Sequence, residues 1–280
     1  MFSKIGILGV GLIGGSVGLA VKSLYPDCIV VGIGQRPERL AVARQLGAVD
    51  EYTTSIQAGV AGCELVIVGT PVNLVVERVL QVIGASDGAI LVTDVGSTKQ
   101  AICAALDKEM PFANGCSFLG GHPIAGSEKS GVEAATVSLF EQRLVVLTPT
   151  SKTPPNATAT LQRFWESLGA RVACMKPEEH DAVFARTSHL PHAISATLAA
   201  MTDYERLRTF LGTGFESVAR LAGGDPVIWR DIFMTNRDAL CEALADYERT
   251  LKQLHDALSD NDADAVFRFL EQAKNASRQR

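Results

Sequence analysis

The chain has 280 residues, 47% of them hydrophobic and 20% charged. At roughly 150 residues per domain, that length favours two domains, and the balance supplies ample apolar material for a core, unlike a disordered chain. A net charge of −5 argues against nucleic acid or an anionic membrane surface as the main partner. The six cysteines, Cys28, Cys63, Cys103, Cys116, Cys174 and Cys241, form no C-x-x-C pair, so neither a metal site nor a thioredoxin-like site is expected. Scattered through apolar segments, they read as buried free thiols of a reducing compartment. The first residues run straight into a strand pattern without a leader, and no apolar run approaches the roughly 20 residues of a membrane span. A cytoplasmic location is expected.

In chain order, short runs rich in Val, Ile and Leu read as buried strands at Lys4–Leu8, 28–33, Leu65–Val68, 89–93 and Leu144–Thr148. Stretches of helical length separate most of them. That alternation predicts an α/β protein with a Rossmann-type, doubly wound, mostly parallel sheet covered by helices on both faces. Residues 151–156 are a break, followed by a helix at 158–168 and a last strand at 170–175. A boundary at Lys176–Pro177 divides the chain into 1–176 and 177–280.

The second unit changes character, with little strand signal from Glu178 onward. Residues 192–201 are apolar and Ala-rich, and Asp225-Pro226 has the form of a helix start, with Asp as N-cap and Pro at the first helical position. Ile228, Ile232, Leu240, Leu244, Leu251, Leu254 and Leu258 recur at near-helical spacing, a stripe of about thirty residues that is long for one globular helix. An all-α domain is expected. So long a stripe invites a partner subunit, hence a homodimer through this half.

Gly9-Val10-Gly11-Leu12-Ile13-Gly14 fits G-x-G-x-x-G. It follows a predicted strand and opens a helical segment, the context a dinucleotide-binding fingerprint requires. Gly9 suits the tight turn, Gly11 a close approach of backbone to pyrophosphate, and Gly14 helix–strand packing, while the free N–H groups of the helix start face the phosphates. Leu12 and Ile13 lie in that first turn. Thr70 and Pro71, just past the strand Leu65–Val68, complete this candidate set together with Gly34 and Arg36. About 20 residues beyond the glycines an NAD site usually carries an acid for the ribose, but the matching position is Gly34, and Arg36 and Arg39 follow. Arginine pairs with a 2′-phosphate, so NADP is favoured over NAD. If Arg36 is merely a solvated residue beside Pro37, either cofactor fits.

Three further clusters carry chemistry. Asp94-Val95-Gly96-Ser97-Thr98-Lys99 follows a strand, where ligands of doubly wound sheets sit. Ser97 there reads as a substrate or cofactor contact, as a helix N-cap, or as both. Residues 120–131, Gly-Gly-His-Pro-Ile-Ala-Gly-Ser-Glu-Lys-Ser-Gly, read as a glycine-rich loop holding His122, Glu128 and Lys129. Imidazole suits proton transfer at cellular pH. In the helical half, Ser188-His189-Leu190-Pro191-His192 sets two histidines around a proline, and Arg220 precedes the helix start at Asp225. Arginine is the usual partner of a substrate carboxylate. Asp225, Trp229 and the Arg230/Asp231 pair read better as a cap, a core anchor and a surface ion pair.

Together the glycine loop, D-V-G-S-T-K, G-G-H-P-I-A-G-S-E-K-S-G, S-H-L-P-H and G-D-P-x-x-W-R-D resemble the prephenate/arogenate dehydrogenase family of tyrosine biosynthesis, over nearly the whole chain and in the family's order. The resemblance implies an NAD(P)-dependent oxidative decarboxylation. His122 would accept a hydrogen bond from the substrate's ring hydroxyl and assist its deprotonation, and Ser97 would orient His122. Arg220 would bind a substrate carboxylate, His192 and His189 would help hold the substrate, and Glu128 would stand at the pocket entrance. Prephenate is the expected small-molecule substrate; arogenate alone or dual specificity is the alternative, and a non-catalytic dinucleotide sensor is a remote one. A related β-hydroxyacid dehydrogenase fits the fold but lacks its usual lysine motif here. The family's acid three residues before the arginine is replaced by Ser217, and no added regulatory domain or fused mutase is expected.

Overall fold

The structure, a computed structural model, describes residues 2–109, 115–126 and 129–278. Its strands are β1 (Lys4–Leu8), β2 (Ile29–Ile33), β3 (Glu51–Thr53), β4 (Leu65–Val68), β5 (Leu91–Asp94), β6 (Ser117–Pro123), β7 (Leu144–Thr148) and β8 (Arg171–Cys174). They form one eight-stranded sheet in the order β3-β2-β1-β4-β5-β6-β7-β8. Pairing is parallel except between β6 and β7. The first six strands follow the order 3-2-1-4-5-6 of dinucleotide-binding sheets. The strands β1, β4, β5 and β6 therefore end at one edge, which brings the segments after Leu8, Val68 and Asp94 beside Pro123.

Side-chain alternation along the strands explains the two covered faces. Ile5, Ile7, Leu65 and Ile67 point into one core, closed by α1 (Leu12–Leu24) and α6 (Pro155–Ser167) through Val17, Val21, Leu161, Phe164 and Trp165. Leu8, Val66 and Val68 point into the other, closed by α4 (Val75–Ala85) and α5 (Gln100–Glu109) through Val79, Val82, Ile102 and Leu106. Helix α2 (Pro37–Gln45) adds Ala43 to the first core, and α3 (Ile56–Val60) adds Val60 to the second. Beyond β8 the described chain is helical. It runs through α7 (Pro177–Phe184), a π-helical segment Ala185–His189, α8 (Leu190–Ala200), α9 (Tyr204–Leu207), α10 (Thr213–Ala219), α11 (Pro226–Thr235), α12 (Arg237–Ser259) and α13 (Ala263–Ser277). Among the described residues no helix is long and apolar enough to cross a membrane.

Four expectations change. The segment holding His122 is strand β6, fully buried along its length, rather than the start of a loop. Its glycines are there for close approach: a Cβ on Gly120 would stand 2.5 Å from Thr148 Oγ1, and one on Gly121 2.8 Å from the Asp94 carbonyl. Strand β3, three residues at the sheet edge, carries no apolar run to announce it. The long apolar stripe is two helices, because the backbone breaks at Asn236 (φ −119°, ψ 32°); Ile232 and Leu240 are buried while Ile228, Leu251 and Leu258 are exposed. Four cysteines are buried free thiols, but Cys174 and Cys241 are exposed.

The approach at Gly121 sets a test. Gly121→Ala forces a methyl against backbone, so unfolding in urea should show a loss of about 1–3 kcal/mol, the usual cost of overpacking.

Candidate active site

The glycine loop leaves β1 at Leu8 and turns through Gly9, whose φ of +95° only glycine adopts readily. A Cβ on Gly14 would lie 2.5 Å from the Gly9 carbonyl oxygen, so glycine there lets α1 start against the turn. Gly11 has nothing within 4 Å of such a position, and as N-cap of α1 it provides no side-chain cap. The first N–H groups of α1, at Leu12, Ile13 and Gly14, are thus left for a ligand. A cleft of about 380 Å³ opens here, lined by Gly9, Gly11, Gly34, Arg36, Thr70 and Pro71. Arg39 and Arg78 also line it, and among the described residues no carboxylate does. Thr70 Oγ1 is buried without a partner. An orphaned hydroxyl beside open glycine backbone and three guanidinium groups suits an anionic dinucleotide. Arg78 on α4 has no motif to mark it; only folding brings it into the cleft that Arg36 also lines.

At the same sheet edge, β5 ends in Asp94. Its carboxylate pairs with the ammonium of Lys99, and both side chains are fully buried. Oδ2 also accepts the Gly96 N–H at 2.8 Å and Oδ1 the Gly121 N–H at 3.2 Å. The pair thereby ties the D-V-G-S-T-K turn to β6. The turn is held from the helical side as well. Thr98 Oγ1 lies 3.0 Å from Thr235 Oγ1. The Asp181 carboxylate of α7 accepts the Lys99 N–H at 2.7 Å and the Gln100 N–H at 2.9 Å. Asp181, not Ser97, therefore caps α5. Ser97 is half-buried in this turn.

His122, at the end of β6, points its Nδ1 at His180 Nε2, 2.8 Å away. His180 Nδ1 in turn contacts Asp181 Oδ1 at 2.7 Å. The orienting partner of His122 among the described residues is thus His180; no hydrogen bond joins it to Ser97. Phe184 packs edge-on to His122 with ring centroids 4.8 Å apart. Asn236 Nδ2 donates to the Asp181 carbonyl at 2.8 Å and meets His189 Nδ1 at 3.1 Å, which explains the break between α11 and α12. His192 stacks on Trp229 at a centroid distance of 3.5 Å and an interplanar angle of 10°. Trp229 is thus a partner of His192 as well as a half-buried anchor. Arg220 is exposed in the turn Arg220–Gly223, which Ser195 staples to α8: its Oγ donates to the Val218 carbonyl at 2.7 Å and accepts the Ala222 N–H at 2.8 Å. Arg230 meets Asp231, which is buried rather than on the surface. Glu128 lies outside the described residues.

The structure thus brings His122, His189 and His192 toward one another and links the first two through His180, Asp181 and Asn236. The motifs do not include these three linkers or Ser195, and D-V-G-S-T-K includes Lys99 without marking its buried pairing with Asp94. The Glu-Glu-His-Asp run of α7 looks like an ordinary charged first turn, and the only signal is a histidine beside an acid. Burial holds the His122 imidazole well below the usual histidine value, and neighbouring His180 and the Lys99 ammonium push the same way. Burial also lowers His180, against its bond to Asp181, and lowers His192. His189 is pushed down to about 4, again by burial first.

The profile "Prephenate dehydrogenase, nucleotide-binding domain" matches residues 17–174, and "Prephenate dehydrogenase, dimerization domain" matches 176–272. The chain belongs to the prephenate dehydrogenase family. It is an NAD(P)-dependent oxidoreductase. It is 35% identical to a prephenate dehydrogenase of Bacillus subtilis over 96% of this chain and 74% of that protein. It is 32% identical to a cyclohexadienyl dehydrogenase of Zymomonas mobilis over 99% of this chain and 95% of that one. Among solved structures, a prephenate dehydrogenase from A. aeolicus in complex with hydroxyphenyl propionate and NAD+ superposes with a TM-score of 0.91 at 33% identity, over 100% of this chain and 98% of that chain. A Synechocystis arogenate dehydrogenase superposes at 0.83 with 28% identity, each chain covered to 99%.

Two outcomes follow from the buried charges. Lys99→Met leaves the Asp94 carboxylate buried without its cation, so the denaturant midpoint should report a loss of about 3–5 kcal/mol. The lowered histidines give a pH dependence of known sign. Where the folded pKa lies below the unfolded one, the unfolded chain binds more protons, so stability is complete above pH of about 6.5 and falls on acidification below it. Thermal melts from pH 8 to pH of about 5 check this, and a rising melting temperature on acidification would contradict it.

Proposed function

We propose that this protein catalyses the oxidative decarboxylation of prephenate to 4-hydroxyphenylpyruvate, with residues 1–176 as dinucleotide domain and 177–280 as substrate and dimerisation domain. The observation that carries the reading is His122: a strand-end imidazole, buried and kept neutral, with one nitrogen engaged by His180 and none of the described residues bonded to the other. The cofactor is held by Gly9, Gly11, Leu12, Ile13, Gly14, Thr70 and Pro71 through backbone and hydroxyl groups, and it supplies the hydride acceptor when bound. His122 Nε2 takes the proton of the ring hydroxyl as hydride leaves the same ring carbon. The bond to the ring carboxylate then breaks, carbon dioxide departs, and the bonding pair makes the ring aromatic; the phenolate oxygen takes the proton back from His122, so the protein's task is chiefly orientation and the transient holding of one proton. Arg220 binds a substrate carboxylate, His192 and His189 hold the side chain, Ser97 contacts the bound ligands, and Glu128 closes the entrance.

NADP is the cofactor this cleft favours. Arg36, Arg39 and Arg78 line the same cleft as Gly34, which stands at the position where an NAD site usually carries an acid for the ribose. Use of arogenate as well is the second reading, favoured by the likeness to a cyclohexadienyl dehydrogenase. The protein works as a cytoplasmic homodimer. Supporting this are the match to a dimerisation profile and the exposed Leu258, Phe267 and Leu270 along α12 and α13.

Reduced-nicotinamide absorbance with prephenate or arogenate, each with NAD or NADP, tests the proposal. The prephenate–NADP combination should be fastest, and His122→Asn should lower kcat by about 10²–10⁴-fold. Dinucleotide binding without turnover in any combination would sink the reading. Arg36→Ala should raise the KM for NADP by roughly 10–100-fold, the worth of one charge-assisted bond, and leave that for NAD nearly unchanged. An NAD-preferring wild type would overturn the assignment of cofactor.

A further inference from the structure

We infer that His180 and Asp181 are positioning residues which fix the tautomer of His122, so that its lone pair sits on the nitrogen offered to substrate. The inference rests on His122 being the base.

Proton accounting along the chain of contacts leads there. Asp181 Oδ1 accepts the Lys99 N–H at 2.7 Å and Oδ2 the Gln100 N–H at 2.9 Å. Backbone N–H groups can only donate, so this carboxylate is an acceptor on both oxygens. His180 Nδ1, 2.7 Å from Oδ1, is therefore the N–H side of its ring. A neutral His180 then has a bare Nε2, which accepts. Its partner at 2.8 Å is His122 Nδ1, which must carry the hydrogen. Neutral His122 is left with a bare Nε2, the nitrogen without a partner among the described residues. That nitrogen is not sealed in, since the buried unpartnered side-chain polar atoms among the described residues are Thr70 Oγ1 and Trp165 Nε1.

Alternative tautomers break the chain. A hydrogen on His122 Nε2 would turn two lone pairs toward each other across the 2.8 Å contact, or would require Asp181 to stop accepting from His180. His180 and Asp181 are 0% and 1% exposed, so water does not substitute. Burial favours neutral rings at both histidines, and the Lys99 ammonium opposes a cation at either. When His122 gains the substrate proton at Nε2, its Nδ1–H faces His180, and the Asp181 carboxylate lies one ring further on. The imidazolium thus forms with a carboxylate aligned behind it. The logic is that of other acid–histidine pairs, where loss of the acid's charge leaves the wrong tautomer.

The pair also joins the two halves of the chain. His122 belongs to the sheet, while His180 and Asp181 belong to α7. The same Asp181 carboxylate caps α5, so correct seating of α7 and correct setting of His122 are one event.

The test uses the full-length enzyme and histidine ¹⁵N resonances, with His122 assigned by difference from His122→Asn. In the wild type above pH of about 7, His122 should show a protonated Nδ1 and an unprotonated Nε2; the reverse pattern overturns the inference without any relay variant. Asp181→Asn should invert that pattern and lower kcat by about 10²–10⁴-fold, with the KM for dinucleotide changed little. His180→Leu should lower kcat similarly. His180→Gln, whose amide can donate to Asp181 and accept from His122, should recover most of the loss. A merely structural role would lower expressed, folded enzyme without moving the ¹⁵N pattern, and that outcome overturns the inference. If His122→Asn is inactive while His180→Leu keeps wild-type kcat, the relay alone fails. If His122→Asn keeps full activity, the assignment of the base itself fails.

Discussion

Much of this molecule depends on one carboxylate. Asp181 accepts two N–H groups at the start of α5 and a third hydrogen bond from His180. Through the first two it completes a helix whose own N-terminal loop is occupied elsewhere, with Asp94 and Lys99 locked in their buried pair. Through the third it reaches the imidazole at the end of β6. An acceptor at a helix N-terminus is stabilised both by free N–H groups and by the helix dipole. Here the helix and its cap come from different parts of the chain, so the energy of capping is spent on holding α7 against the sheet.

The sheet supplies the other constraint. Parallel strands β1, β4, β5 and β6 must end at one edge, and the glycine turn, Thr70, the Asp94–Lys99 turn and His122 follow from that. The direction reverses at β7, which pairs antiparallel with β6. The helical half contributes His189, His192 and Arg220 from elements that pack on one another around α8. The π-helical segment at Ala185–His189 widens the helix just where His189 must turn inward, as such segments often do at functional sites.

Charge is distributed by depth. The dinucleotide cleft presents arginines at a solvent-accessible rim, where a phosphate can be met without burying an unpaired cation. On the proton-handling side the buried carboxylates have partners: Asp94 has Lys99 and two N–H groups, and Asp181 has two N–H groups and an imidazole. The buried Lys99 ammonium itself helps keep the His122 ring neutral.

The sequence by itself determined the α/β class, the strand cores at β1, β4 and β7, the helical character beyond β8, the glycine turn and the family resemblance. Periodicity, glycine spacing and short motifs are local properties, and local properties can be read along a chain. Strand β6 was hidden because two glycines in a row read as loop until Thr148 and Asp94 are seen crowding them. The two-helix division at Asn236 was hidden because its cause, the Asp181 carbonyl and His189, lies far off in sequence. Only the tertiary structure decided that Arg78 shares a cleft with Arg36, that Asp181 rather than Ser97 caps α5, and that His180 stands behind His122. These are contacts between residues tens of positions apart, set by strand order and helix docking, and no local pattern encodes them.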